Sequence, residues 1–227
     1  MRYAFVALCI FIVIFCAARL AQAQQPLDVD VALVLVMDIS DSVDGDEFAL
    51  QRVGTAGAFV DPEIVNAISS GALGRIAVSV VEFANEAVIV VPWTVISDAK
   101  SARAFAATVT GAPRSNDVGT GTSISAGISL ANKVILTMPY RATRKVMDVS
   151  GDGTNNTDAE GITVEVVTKI AKAQHITING LTIGDDFGLE EFYEEDVISK
   201  PGGFKLHSDT FKDFTKALRR KLVREIS

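Results

Sequence analysis

The sequence has 227 residues and a formal net charge of −7 at pH 7, with 21 basic and 28 acidic residues. Contacts with nucleic-acid phosphates need a basic surface, so this charge argues against a nucleic-acid partner and favours a cationic or metal-bridged one. The length suits one well-buried domain and is marginal for two, and no linker or internal repeat divides it.

The first 23 residues are predicted to be a signal peptide. Arg2 supplies the positive start, an apolar stretch follows, and Ala21-Gln22-Ala23 forms a small-x-small cleavage site. The apolar stretch is shorter than the ~20 residues of a membrane-spanning helix, which favours a cleaved leader over an anchor. We therefore expect one exported domain over residues 24–227, periplasmic or extracellular and without membrane contact.

Both cysteines of the chain, Cys9 and Cys16, lie in this leader. The mature domain would then contain no cysteine, which excludes disulfides, cysteine nucleophiles and zinc-thiolate sites. The leader also carries two arginines and no acid, so its removal changes the net charge from −7 to −9.

Residues 31–37 are seven successive apolar residues, a pattern typical of a strand covered on both faces in a parallel sheet. The run Asp-Ile-Ser-Asp-Ser follows at positions 38–42. Its carboxylate and two hydroxyls at alternate positions are hard oxygen donors, which favour Mg²⁺ or a similar cation. Helix capping is the alternative explanation, because Ser and Asp commonly precede helices.

A helix with an acidic first turn is predicted after this loop, and its apolar stripe is expected to face inward. A second helix begins at Asp61 and ends near Gly71. Strands at 75–84 and 87–91 flank a tight turn and form the one predicted hairpin, so one antiparallel edge strand is expected. The stripe of the first helix consists of Ala49, Val53, Ala56 and Val60.

A second hydroxyl-rich loop precedes a helix in the middle of the chain. A helix over 98–109 is followed by the loop 110–121, and Gly119-Thr120-Gly121-Thr122-Ser123 then opens the next helix. Capping is again the alternative to a ligand role. The inward residues of the helix that begins after Ser123 are predicted to be Ile124, Ile128, Ala131 and Ile135.

A later strand, residues 145–151, ends in Asp152-Gly153 and so places another carboxylate at a strand end. Asp148 lies within this strand, either as an edge-facing acid or in a buried polar cluster. The next helix is predicted to turn Ile162, Val166 and Ile170 inward, before a strand over 175–183.

The segment Asp185 to Asp196 is strongly acidic, which is typical of a solvated loop and helix surface. A short strand near 204–206 precedes a terminal helix over 209–226. Its apolar residues Phe211, Phe214, Leu218 and Leu222 are predicted to face inward. Its basic residues Lys216, Arg219, Arg220, Lys221 and Arg224 are predicted to face outward.

These three loops stand in a fixed order that resembles the von Willebrand factor A (VWA) domain. The motifs are Asp38-x-Ser40-x-Ser42, the helix start at Thr122, and Asp152-Gly153. The resemblance covers essentially the whole mature chain. The sequence of residues 149–156 is similar to that of an uncharacterised branch of exported bacterial VWA-like proteins. The VWA resemblance implies an α/β fold: a Rossmann-like, doubly wound, mostly parallel sheet with one antiparallel edge strand and helices on both faces.

In that family the three loops form the metal-ion-dependent adhesion site (MIDAS). Carried over by position, the resemblance makes Ser40, Ser42 and Thr122 direct ligands, with Asp38 and Asp152 acting partly through water. Thr120 competes with Thr122 for its role, but only Thr122 has the family's five-residue spacing to Gly127. The residue before Asp152 is Gly151, where the family usually has Thr or Ser.

The favoured function is a non-enzymatic, metal-dependent protein-binding module for adhesion or assembly. Mg²⁺, or else Mn²⁺ or Ca²⁺, would complete its coordination shell with an Asp or Glu carboxylate of a protein partner.

Two other functions remain open. A hydrolase would use a serine or a metal-activated water, but His175 and His207 lie in no catalytic motif. Nucleotide-binding Gly-rich motifs are absent from the sequence, so no nucleotide is expected. A VWA scaffold that has lost its metal and acts through a surface groove is the third possibility.

Overall fold

Six strands form one sheet in residues 25–227, the part of the chain that the computed structural model describes. The predicted signal peptide lies outside this range. The strands are β1 (Leu27–Asp38), β2 (Ile76–Phe83), β3 (Ala87–Ile96), β4 (Tyr140–Gly151), β5 (Ile176–Ile183) and β6 (Lys205–Ser208). Their order is β3-β2-β1-β4-β5-β6, and β3 pairs antiparallel with β2 while the other neighbours are parallel.

Helices cover both faces of this sheet. They are α1 (Gly45–Val60), α2 (Pro62–Ser69), α3 (Ala99–Gly111), α4 (Ile124–Leu136), α5 (Val164–Ala173), α6 (Phe187–Phe192) and α7 (Phe214–Ile226). One apolar core contains residues of α1, α2, α3 and α7, and a second contains residues of α4 and α5. The fold class predicted from the sequence is confirmed. In the described residues, no helix has the length and apolar character needed to span a bilayer.

The central strand β1 organises both cores, because its side chains alternate between the two faces. Val31, Leu33, Leu35 and Met37 belong to the core of α1 and α7, whereas Val34 and Val36 belong to that of α4 and α5. β1 pairs in parallel with β2 on one side and β4 on the other. The carboxyl ends of the three strands therefore lie together, and the loops that follow them meet at one edge of the sheet.

Two strands are longer than the sequence pattern predicts. β3 continues through Pro92 to Ile96, which an edge strand tolerates because the missing amide hydrogen can face away from the sheet. β4 begins at Tyr140, five residues before the predicted start at Lys145, and its first half is largely exposed. The polar first half of β4 concealed it from an argument based on apolar residues.

The inward face predicted for α1 is wrong. Of the predicted stripe only Ala56 is buried, and the other three residues, Ala49, Val53 and Val60, are exposed. Gln51 and Arg52 are buried instead. The Gln51 amide donates a hydrogen bond to the backbone oxygen of Asp38 at 3.2 Å, and Arg52 forms an ion pair with Glu82. α1 therefore turns polar side chains toward the strand ends, where other elements supply their partners.

The inward face predicted for α5 is also wrong. Val166 and Ile170 are exposed, and the helix instead buries Val164, Val167 and Ala171. The acidic segment is also more than a solvated surface, because the buried side chains of Leu189 and Tyr193 anchor it to the second core. A π-helical turn, Tyr193–Val197, follows α6 and ends one residue beyond the segment.

The terminal helix α7 carries a buried charge, contrary to the prediction that Lys221 faces outward. The Lys221 ammonium lies 2.6 Å from Asp148 Oδ1 and 2.7 Å from Glu225 Oε1, and all three side chains are buried. Asn179 donates a further hydrogen bond to Glu225 at 2.7 Å. Asp148 therefore belongs to a buried polar cluster that ties α7 to β4 and β5.

Replacing Lys221 by Met should destabilise the fold by about 3–5 kcal/mol, because two buried carboxylates would lose their cation. Lys216→Met is the matched control, since Lys216 lies on the same helix and is exposed. Urea unfolding of both variants measures the difference. A loss for Lys221→Met no larger than for Lys216→Met would contradict the proposed role of the cluster in stability.

The same cluster predicts a pH dependence. Burial raises the pKa of Glu225 to about 7 against the opposing effect of Lys221, and Asp148 adds to the rise. An unfolded glutamate titrates at about 4.3, so the folded chain binds more protons between these values and loses stability as the pH rises. In EDTA, the fall in stability between about pH 5 and pH 7.5 should be smaller for Glu225→Gln than for wild type.

Urea midpoints across this pH range measure the effect, and Glu191→Gln is the control because Glu191 is exposed on α6. A wild-type pH profile retained in full by Glu225→Gln would show that another group carries the dependence.

Candidate metal centre

Four of the five predicted ligands form one chain of hydrogen bonds, which joins the end of β1 and the loop after it to the residue that follows β4. The Ser40 amide donates to Asp38 Oδ1 at 2.8 Å, and the hydroxyl oxygens of Ser40 and Ser42 are 3.0 Å apart. Ser42 in turn donates to Asp152 Oδ1 at 2.7 Å. Asp38 and Ser40 are buried, whereas Ser42 is exposed, so the group extends from the sheet to the surface.

The fifth predicted ligand, Thr122, is held beside the third loop. Its backbone amide donates to Asn156 Oδ1 at 2.8 Å, and its carbonyl accepts from the Asn156 amide at 2.9 Å. The Thr122 hydroxyl lies 3.7 Å from the place that a Cβ on Gly153 would occupy. The competing Thr120 has an exposed side chain and accepts a backbone hydrogen bond from Asp41 at 3.0 Å.

Asn85, in the turn between β2 and β3, supports the second loop. Its side-chain oxygen accepts hydrogen bonds from the amides of Thr120 and Gly121, each at 2.7 Å. A Cβ on Gly119 would lie 2.2 Å from that oxygen, and Gly119 has a φ of +82°, so only glycine suits this position. Asparagine is common in tight turns, so its position in the sequence does not indicate this second role.

Arg114 joins the second loop to the first. Its Nη2 donates to the carbonyl of Ile39 at 2.7 Å and to that of Ser40 at 3.1 Å. The guanidinium also lies 5.4 Å from the centre of the Phe48 ring. Arg114 therefore fixes the backbone that presents the serine hydroxyls, a contact between distant loops that no local pattern could predict.

The electrostatics of Asp38 single it out among these residues. Burial raises its pKa to about 7, against the hydrogen bonds from Ser40, and the charge of Asp152 adds to the rise. Its second oxygen, Oδ2, is buried and accepts no hydrogen bond from the described residues. A bound cation would stabilise both the charge and this oxygen.

The donor set suits a hard divalent cation. It consists of the carboxylates of Asp38 and Asp152 and the hydroxyls of Ser40, Ser42 and Thr122, which match the oxygen preference of Mg²⁺, Mn²⁺ and Ca²⁺. Within residues 25–227, no three His, Cys, Asp or Glu side chains form a metal cluster, so hydroxyl groups would have to complete any site here.

Residues 28–227 match a family model described as "Protein of unknown function (DUF1194)". The chain belongs to this family. None of the curated proteins matches the sequence.

Solved structures with VWA domains share the fold of this DUF1194 chain. A von Willebrand factor type A protein from Catenulispora acidiphila is 15% identical with a TM-score of 0.61, over 87% of this chain and 43% of that one. Proximal thread matrix protein 1 from the mussel byssus is 18% identical with a TM-score of 0.63, over 88% of this chain and 46% of that one. Another structure of the mussel protein has a zinc-occupied MIDAS motif.

A pilus adhesin, SpaC from Lactobacillus rhamnosus GG, is also similar. It is 16% identical with a TM-score of 0.60, over 90% of this chain and 31% of that one. The DUF1194 chain thus spans less than half the length of each of these three proteins. At these identities the likeness establishes the VWA fold.

Asp38→Asn should have opposite effects on the free and the metal-bound protein. In EDTA at about pH 7.5 the variant should be at least as stable as wild type, because a neutral amide replaces a buried carboxylate while Oδ1 still accepts from Ser40. With Mg²⁺ only the wild type should gain melting temperature. Thermal melts in both conditions measure this, and a clear loss of stability in EDTA would contradict the electrostatic argument.

Proposed function

We propose that this protein is an exported, divalent-cation-dependent protein-binding module of the adhesion or assembly type. One observation carries the proposal: the buried Asp38 carboxylate has an oxygen that accepts no hydrogen bond from residues 25–227, and it lies in the same group as two serine hydroxyls and Asp152. We favour Mg²⁺ as the cation, with Mn²⁺ or Ca²⁺ as alternatives.

The depth of the ligands supports recognition of a partner. Asp38 lies at the base of the group and is fully buried, whereas Ser42 is exposed at its outer end. A cation held between them would face solvent on one side. The five proposed protein groups would leave one position of a six-coordinate shell open on that side, and the Asp or Glu carboxylate of a protein partner would fill it.

Two proteins of similar structure support this proposal by analogy. One similar structure is a pilus adhesin, and another is a mussel byssus matrix protein with a zinc-occupied MIDAS motif. Export rests on the leader predicted over residues 1–23. We propose no catalytic role at this centre, because the side-chain contacts of His207 are to Thr182, Glu190 and Asp209, outside the candidate ligands, and His175 lies at the amino end of β5, away from the strand ends that carry them.

Calorimetry with Mg²⁺ or Mn²⁺ tests the metal centre directly. Asp38→Ala should abolish binding at millimolar cation, because it removes the buried anionic ligand. Asp41→Ala is a matched control from the same loop, since the Asp41 side chain is exposed and its backbone amide makes the loop contact. Absence of uptake by the wild type, or equal affinity in Asp38→Ala, would overturn the proposal.

Partner binding should persist at high salt and disappear with chelator. The net charge repels anions at long range, but salt screens that repulsion beyond about 10 Å at 0.1 M and hardly affects an inner-shell bond. A partner captured on the immobilised chain in Mg²⁺ should therefore bind equally well or better as salt rises, and be released by EDTA.

Changing the acidic residues of the partner to Asn or Gln should identify the carboxylate that the cation binds. Binding that weakens steeply with salt and ignores EDTA would instead indicate a basic partner on the acidic segment 185–196 and contradict the metal-dependent function.

A further inference from the structure

Tyr193 is a buried tyrosine whose hydroxyl has no hydrogen-bond partner among the described residues. An unpaired buried hydroxyl costs about 1–3 kcal/mol, so a native fold that retains one needs a reason for it. Phenylalanine would fill the same apolar surroundings without that cost. The position of the oxygen supplies the reason.

Two glycines make room for the Tyr193 ring against the sheet. A Cβ on Gly180 of β5 would lie 2.7 Å from the ring carbon Cδ1, and a Cβ on Gly151 of β4 would lie 2.9 Å from the hydroxyl oxygen. Gly180 pairs with Val149, two residues before Gly151, so the two glycines are close neighbours on adjacent strands. Their missing side chains bring the ring within reach of the strand ends.

The Tyr193 hydroxyl lies near Asp38, the buried carboxylate of the candidate metal centre. The same Cβ on Gly151 would also lie 2.9 Å from Asp38 Oδ2, the other buried oxygen that has no partner in the described part of the chain. A phenol is a donor at neutral pH and an ionised carboxylate is an acceptor. The Tyr193 hydroxyl and Asp38 Oδ2 therefore both border the space that a Gly151 side chain would occupy, and one is a donor while the other is an acceptor.

We propose that Tyr193 is a positioning residue of the candidate metal centre: its hydroxyl donates through one bridging water to Asp38 Oδ2 and fixes the orientation of that carboxylate. This inference rests on the proposed function and deepens it, because it adds a supporting residue that lies outside the three loops. Groups that orient a ligand in this way typically change metal affinity by about 10- to 100-fold.

Tyr193→Phe removes only the hydroxyl. Its affinity for Mn²⁺, measured by calorimetry, should fall about 10- to 100-fold, because Asp38 loses the group that orients it. Tyr140→Phe is the matched control, since Tyr140 lies at the opposite, amino end of β4 and packs its ring against Trp93. Wild-type affinity in Tyr193→Phe would overturn the inference.

A second measurement needs no metal. In EDTA, Tyr193→Phe should lower the urea midpoint of the wild type but not that of Asp38→Ala, because in the latter the hydroxyl has no acceptor to lose. Equal shifts in the two backgrounds would overturn the inference even if the wild type binds cations normally. Unequal shifts in a protein that binds no cation would instead overturn the proposed function and leave the contact between Tyr193 and Asp38 standing.

Discussion

The burial of a carboxylate at the carboxyl end of the central strand is the constraint on which the site depends. Asp38 follows a strand whose every residue from Val31 onward is buried, so water cannot solvate its charge freely. Three side chains hold the backbone of the surrounding loops. Arg114 donates to a carbonyl of the first loop, and Asn85 and Asn156 accept from amides of the second loop. The loops hold oxygen donors around a charge that the described protein groups do not neutralise.

Buried acids on neighbouring strands differ in their partners, and the difference sets Asp38 apart. Glu82 on β2 is paired with Arg52, and Asp148 on β4 is paired with Lys221. The buried cations come from α1 and α7, which pack on the same face of the sheet. Asp38 lies on the other face and forms no ion pair with the described residues, which makes it the position where a cation from solution has most to contribute.

Local patterns in the sequence, together with the resemblance to the VWA domain, predicted the fold, whereas the metal-ligand role of the candidate residues stays a prediction. Parallel strands, the antiparallel edge and the strand-end position of Asp38 follow from apolar runs and turn residues. The inward faces of α1 and α5 were predicted wrongly, and so was the outward position of Lys221. The errors for α1 and Lys221 share a cause: a buried polar side chain is stable only through a partner from another element, which hydrophobic periodicity does not record.

The sequence by itself determined which residues have the chemistry of a hard-cation site and the order in which their loops follow the strands. Only the tertiary structure decided which of them meet and what supports them. Arg114, Asn156 and Tyr193 act across long separations in the chain, through contacts that depend on loop packing and on the missing side chains of Gly151 and Gly180. Such contacts are set by distances in space, and residue type and spacing along the chain do not encode them.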